Sequence, residues 1–307
     1  MANMYNLLKQ VKDQDGKVII LNDEDVACIQ NRLLPMLDDI VSVCDKYDID
    51  YQLSGGTALG AVRHGGFIPW DDDIDINMSR KELDRFIPIF CDEFSDKYWI
   101  HVPGKTPGFD FAVVHIMTKD VRARGIMHAD KVECGIGIDI FTIENTYNNC
   151  VLRKIQGFCS MGFRYVLSCL RIKDNIEELR CISESNHELM KYVNKRNRLA
   201  VVFSIIPKKT WIRMSNKWAK ICKNDNSKMV SIPSGSGMFF KEQYERKEFC
   251  QTTEITFENR TLKITKDYDN YLTTLYNDYM QIPPPEKRER HVMMELDRET
   301  LYKWRER

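Results

Sequence analysis

Residues 53–77 read LSGGTALGAVRHGGFIPWDDDIDIN, and the rest of the chain is organised around this stretch. It opens apolar, breaks at Gly55-Gly56, passes Arg63 and His64, and ends in the carboxylates Asp71, Asp72, Asp73 and Asp75. From Asp73 to Asn77 polar and apolar residues alternate strictly. A period of two belongs to a strand with one buried face, so Asp73 and Asp75 project from the same side. Adjacent carboxylates repel each other and lose hydration, and a cation between them relieves both costs. Ligands that are all oxygen suit a hard ion such as Mg2+ or Mn2+.

Two other readings of the local pattern fail. Asp71, Asp73, Asp75 and Glu82 match the spacing of a Ca2+-binding EF-hand loop, but that loop needs glycine where Ile76 stands. A β-branched residue resists the positive φ required there. Gly104-Lys105-Thr106 resembles the end of a P-loop, yet the glycine required five residues earlier is Trp99.

The residues before the acids are suited to phosphate. Gly55-Gly56 permits a sharp turn that brings backbone N–H groups close to an anion. Its spacing to Gly60 is not that of a dinucleotide-binding loop. A short helix from Thr57 to Val62 points its N-terminus at the same place. Arg63 reads as a phosphate clamp, with a surface ion pair as the alternative. Trp70 can cover an alkylammonium cation, although packing in a pocket wall is its simpler role. Farther on, Asp139 stands between Ile138 and Ile140, with the same one-face logic as Asp73 and Asp75. Alone it would be a partly buried structural acid; beside the other two it reads as a third ligand.

GGTALGAVRHGGFIPWDDDIDI resembles the signature of the LicD-type phosphotransferases, relatives of the fukutin-type ribitol-phosphate transferases within the nucleotidyltransferase superfamily. Residues 268–291, YDNYLTTLYNDYMQIPPPEKRERH, are also similar to that family, whereas 151–230 resemble no family we can name. The superfamily pattern is a Gly-Gly turn, an Asp-x-Asp strand and a later carboxylate. It is matched here by Gly55-Gly56, by Asp73 with Asp75, and by Asp139. The resemblance implies transfer of a phospho-alcohol, most often from CDP-choline, to a sugar of a cell-surface glycan precursor. It implies Mg2+ or Mn2+ held by Asp73, Asp75 and Asp139, with Asp71 as a further ligand. Gly55, Gly56, Thr57, Arg63, His64 and Trp70 would contact substrate. The alternatives are a nucleotidyltransferase acting on a nucleoside triphosphate and a non-catalytic relative that binds nucleotide or glycan.

Composition narrows the setting. Of 307 residues, 43% are apolar and 29% charged, the balance of a soluble globular protein. Forty-five basic residues cancel forty-five acidic ones, so no global field attracts nucleic acid and a polyanion would need a local patch. Ten cysteines lie scattered without a C-x-x-C pair, which fits buried thiols in a reducing compartment. The start, MANMYNLLKQVKDQDG, is too polar for a secretory leader. The longest apolar run, near 199–206, falls short of the ~20 residues a membrane span needs. The expected location is the cytoplasm, with peripheral contact at the inner face of the membrane left open.

The expected fold is α+β: a mixed nucleotidyltransferase-like core sheet with flanking helices and a mostly helical insertion. We divide it as 1–150 for the catalytic core, 151–230 for the helical part, and 231–307 for a segment completing the domain. A polar lead with one apolar run, 18–21, precedes a helix capped by Asn22. That helix has an apolar stripe at Val26, Ile29, Leu33, Leu37, Ile40, Cys44 and Tyr47, and contains Pro35. Ser79-Arg-Lys-Glu82 reads as a capping box for a second helix. Further strands are expected at 111–116 and 136–141, a ligand-closing loop at 231–237, a hairpin at 257–264 and a helix at 267–276. The basic cluster Lys191, Lys195, Arg196 and Arg198 reads as a solvated helix face, with an anionic acceptor or lipid headgroup as the alternative. Tyr268, Tyr271, Tyr276 and Tyr279 have the helical spacing of core residues, with a sugar or choline site as the alternative.

Overall fold

The computed structural model describes residues 18–128, 133–184, 186–288 and 291–303. The polar lead 1–17 lies outside them. Strand β1 (Ile19–Ile20) leads into helix α1 (Asp23–Lys46). Asn22 caps α1 reciprocally: its side chain accepts from the Asp25 amide at 2.8 Å and its own amide donates to Asp25 at 3.0 Å. The helix runs through Pro35 without interruption. Strand β2 (Gln52–Leu53), helix α2 (Gly55–His64), strand β3 (Ile74–Ser79) and helix α3 (Arg80–Phe94) follow. Ser79 caps α3 by accepting from the Glu82 amide, but the Glu82 carboxylate pairs with Arg85 instead of closing a capping box.

Strands β4 (Tyr98–His101), β5 (Val114–Thr118) and β7 (Gly137–Asn145) complete most of the sheet, while β6 (Ala123–Gly125) lies outside it. Its order is β2-β3-β7-β5-β4, with β3 parallel to β7 and the other pairs on this path antiparallel. The architecture is therefore a mixed α+β fold. Ile74, Ile76 and Met78 of β3 and Ile138 and Ile140 of β7 are fully buried in one core with the apolar stripes of α1 and α3. Alternation then sends Asp75, Asn77 and Asp139 to the other face. Strand β5 starts at Val114 rather than Phe111, because Phe111 packs against His115 and His128, with ring centroids at 4.9 and 4.7 Å.

Four helices follow: α4 (Cys150–Asp174), α5 (Ile176–Ser183), α6 (His187–Phe203) and α7 (Lys208–Ala219). They tie to the core through buried Asp110, which takes Arg171 at 2.9 Å and Lys208 at 2.5 Å. Strand β8 (Met229–Ser231) extends the sheet from β7, so the loop expected at 231–237 begins one residue later. That loop is also pinned rather than free to close. Ile232 and Gly237 donate amides to Glu242, and Arg164 donates to the carbonyls of Pro233 and Gly235.

Helix α8 (Met238–Lys241), strand β9 (Gln243–Glu245) and helix α9 (Arg246–Phe249) precede a hairpin of β10 (Thr252–Phe257) and β11 (Arg260–Thr265). The hairpin sits earlier than the 257–264 expected, since Phe257 ends its first strand and Glu258, at φ +53, begins the turn. Its first strand has a largely exposed polar face, which hid it in the sequence. Helix α10 (Tyr268–Tyr276), strand β12 (Val292–Leu296) and helix α11 (Arg298–Tyr302) finish the chain. Strand β12 lies between β1 and β6 in a separate three-stranded sheet.

Candidate active site

Asp75 and Asp139 are direct cross-strand partners in the parallel β3–β7 pair. On the far side of Asp139, His115 occupies the matching position of β5, and His101 pairs with His115 from β4. One level of the sheet thus carries Asp75, Asp139, His115 and His101 in a row on one face. The His115 Nδ1 stands 3.6 Å from the Asp139 carboxylate. Asp73, one residue before β3, keeps the phase of Asp75. The Asp71 and Asp73 carboxyls are close enough to interact directly, Asp73 raising the protonation point of Asp71.

Helix α2 aims its N-terminus at these acids, and its two leading glycines explain how closely. Gly55 and Gly56 are not a turn ahead of the helix; they form its first turn. A Cβ on Gly55 would lie 2.8 Å from the Asp75 carboxylate, and one on Gly56 would lie 2.7 Å from Asp71. Only glycine lets both carboxylates reach the helix start, where the backbone dipole favours negative charge. The strand is tied to the helix as well: Ser54 donates its amide to the Asp75 carbonyl at 3.0 Å, and the Asp75 amide donates to the Thr57 hydroxyl at 2.8 Å. Thr57, expected to touch substrate, is buried and occupied with holding Asp75. Tyr271 of α10 receives the Gly55 amide at 2.9 Å and bonds the Ser54 hydroxyl at 3.0 Å.

Burial and mutual repulsion set the charge state. Burial, then the charges of Asp73 and Asp72, hold the Asp71 carboxyl well above the usual carboxylate range. Burial, then Asp73, Asp139 and Asp71, do the same to Asp75. Asp139 is pushed up to about 7, by burial and then by Asp73. Among the described residues one cationic group answers them: His291, whose Nδ1 lies 3.1 Å from Asp72 and whose Nε2 lies 3.8 Å from Asp73. The Asp72 charge raises the His291 imidazole well above its ordinary value against the opposing effect of burial, so it is protonated at neutral pH. Asp73 and His291 keep side-chain exposures of 33% and 45%, so the cleft opens to solvent at this point.

The donor chemistry fits a divalent cation. Among the described residues five carboxylates, Asp71, Asp72, Asp73, Asp75 and Asp139, face one imidazolium. Burial with mutual repulsion raises Asp71, Asp73, Asp75 and Asp139, an excess of negative charge that a bound cation would offset. Among the described residues no three His, Cys, Asp or Glu side chains already converge as a metal cage. An ion would therefore draw the carboxylates together. The strand conformation of 74–79 also disposes of the Ca2+-loop reading.

The other expected contacts are placed differently from one another. Arg63 spends its Nη1 on the carbonyls of Tyr279 (2.7 Å) and Gln281 (3.3 Å), so it braces the chain after α10, and among the described residues it forms no carboxylate pair. His64 meets the edge of Trp70 at 6.3 Å and is held below its ordinary pKa by burial and then by Arg63. Trp70 is buried, and the Arg288 guanidinium lies 4.2 Å from its ring centre, which makes it a packing residue with an occupied face.

Five residues around the acids are not read as site residues from the sequence. Asp72 is out of phase with the alternation. His115 lay in a segment read only as a strand. His291 ends the C-terminal stretch of resemblance, but nothing in its spacing marked it. Tyr271 was assigned to the core by helical period; it is buried there, and its hydroxyl serves the site. Tyr276 is drawn in too, its hydroxyl 3.8 Å from the Cβ position of Gly55 and its pKa raised by burial, Tyr271 and Asp75.

Comparison with known proteins bears on this arrangement. Residues 48–150 match the family model described as LicD/FKTN/FKRP, nucleotidyltransferase domain. The chain is 26% identical over 292 residues to the lipopolysaccharide cholinephosphotransferase LicD of Haemophilus influenzae, covering 91% of this chain and 98% of that protein. It is 46% identical over 44 residues to the ribitol 5-phosphate transferase FKRP of Homo sapiens, 14% of this chain and 9% of that one. An uncharacterized protein of Rickettsia prowazekii is 39% identical over 61 residues, 19% of this chain and 23% of that one. Residues 48–150 thus carry the match to the LicD/FKTN/FKRP nucleotidyltransferase domain, and the chain as a whole is similar along most of its length to a LicD cholinephosphotransferase.

Proposed function

We propose that this LicD-type phosphotransferase moves a phospho-alcohol, phosphocholine first among the candidates, from a CDP-activated donor to a sugar hydroxyl of a glycan precursor. The observation that supports it most is the register that sets Asp139 beside Asp75, under the N-terminus of α2. A pair of carboxylates on adjacent parallel strands, with helix amides above them, is a place to hold a cation and a diphosphate together.

Asp73, Asp75 and Asp139 would hold Mg2+ or Mn2+, with Asp71 in reserve. Such an ion supplies charge neutralisation at the diphosphate and lowers the cost of expelling the nucleotide. The chain's own groups do the rest. The open start of α2 binds phosphate oxygens, and Tyr271 keeps that start fixed by taking the Gly55 amide. His291, kept protonated between Asp72 and Asp73, faces the negative charge that grows on the departing CMP. An Asp139 carboxyl that titrates near 7 can accept the acceptor's hydroxyl proton when it is not ligated.

Incubation with Mg2+ and a panel of CDP-alcohols, followed for CMP, tests the reading. CMP release dependent on the acceptor supports it. Pyrophosphate release from a nucleoside triphosphate, with no CMP, would replace it with nucleotidyl transfer.

A further inference from the structure

We propose that the tip formed by the end of α6 and the start of α7 is a docking site for anionic lipid membranes. The chain is neutral overall, but residues 150–220 hold fifteen Lys and Arg against five Asp and Glu. The helical layer is therefore strongly basic and the remainder correspondingly acidic. Helix α6 displays this charge on one side. His187, Lys191, Asn194, Lys195 and Arg198 line a groove of about 460 Å³. Continuing at helical spacing, the same side ends in Val201 and Val202 and passes to Ile205, which are 60%, 58% and 82% exposed. Beyond the turn, exposed Lys209 and Arg213 appear on α7.

Branched aliphatic side chains this open, at the end of a polar helix, cover no core of their own. Cations stand on both sides of them. Lys191 has only a loose, exposed pair with Glu188 at 3.6 Å, and among the described residues Lys195 and Arg198 have no carboxylate partner. Arg196, by contrast, is stacked on Tyr165 and Tyr192 and belongs to the packing. An apolar tip with a cationic collar is complementary to a bilayer surface: phosphates meet the collar and the aliphatic groups enter the headgroup boundary. Nucleic acid would use the charge and leave the aliphatic groups in water, so the lipid surface accounts for more of the observations. No helix among the described residues is long and apolar enough to cross a membrane, and the contact proposed is peripheral. It is independent of the proposed reaction, since it is read without turnover.

A second exposed apolar stripe, Val151, Leu152, Ile155 and Phe158, lies at the opposite end of α4 from this tip. The tip adjoins the C-terminal end of α4, where Lys173 bonds Ser204 at 2.8 Å. Phe158 therefore supplies a control.

Co-sedimentation of the full chain with sucrose-loaded vesicles tests the proposal, using phosphatidylcholine alone or mixed with phosphatidylglycerol. The chain is expected to sediment with the anionic mixture and to be released by salt. K191E/K195E/R198E should weaken partitioning by about fivefold per cation removed, Ile205→Asp should weaken it as well, and Phe158→Ser should leave it intact. Circular dichroism checks that each variant is folded. Equal binding to neutral vesicles, wild-type binding by the charge or Ile205 variants, or loss only in Phe158→Ser would overturn it. So would a wild-type dimer that Ile205→Asp converts to monomer, or preferential capture by duplex DNA.

Discussion

Asp139 has Asp75 on one neighbouring strand and His115 on the other, and this position decides its titration. Its ordinary value is about 3.9, and in the folded chain burial, then Asp73, push it up to about 7. A raised carboxyl contributes stability in full below its unfolded value and loses it as pH rises through the folded one. The open mouth of the cleft screens this, leaving about 1–2 kcal/mol. Without metal, the wild type should therefore lose thermal stability relative to Asp139→Asn between about pH 4 and 7. Mg2+ at pH 8 should raise the melting temperature of the wild type more than that of the variant. His128 works in the opposite sense and does not confuse the comparison, being present in both chains. Held down to about 4 by burial and then by Arg171, it costs stability as pH falls from about 6.5. Parallel melting curves for wild type and Asp139→Asn across this range would remove Asp139 from the cluster. Tyr271→Phe gives a second reading at this scale. It deprives the Gly55 amide and the Ser54 hydroxyl of a partner and should cost about 1–3 kcal/mol in a denaturant titration. Of these residues the acids were legible, because a strand's alternation places every second side chain without reference to the rest of the fold. Tyr271 and His291 were not, because their partners lie more than two hundred residues away.

Helix α2 is the element on which the site depends. Its sequence was read as a glycine turn followed by a helix from Thr57, since glycine is a poor helix former and propensity alone ends the helix there. Tertiary constraint overrides that preference: the carboxylates of Asp71 and Asp75 occupy the places where Cβ atoms would be. Gly56→Ala should fold, because its φ is ordinary, and should displace Asp71 with about a tenfold or greater loss of turnover. Gly55→Ala adds backbone strain at φ +50, and its melting temperature should fall by the equivalent of about 1–2 kcal/mol. If turnover of Gly56→Ala matches wild type, the approach of Asp71 to the helix is irrelevant to the reaction. At the other end of α2, Arg63 ties the chain after α10 to the helix through two carbonyls. Arg63→Ala should therefore lower stability and donor affinity together, by about 1.5–3 kcal/mol in combined effect. A loss confined to affinity would restore its reading as a phosphate clamp alone.

At the scale of the whole molecule, the clustered carboxylates of the site and the overall excess of acidic residues lie outside the basic helices of 150–220, so the neutral total conceals a divided charge. That division is hidden in the overall composition and legible in the sequence of 150–220 itself. The mixed sheet was foreseeable from the runs at 73–77 and 136–141; the pairing that sets Asp75 against Asp139 was not, because register is fixed only by the complete sheet. The central claim is that these carboxylates form one metal-dependent transfer site. The most direct measurement is CMP release from CDP-choline and related CDP-alcohols, with a glycan acceptor, in Mg2+ and then in EDTA, for wild type, Asp73→Asn and Asp75→Asn. We predict Mg2+-dependent release by the wild type and a fall of about 100-fold or more in both variants, each folded and at least as stable as wild type in EDTA. Turnover that persists in EDTA, or near-wild-type turnover by either variant at saturating Mg2+, would contradict it.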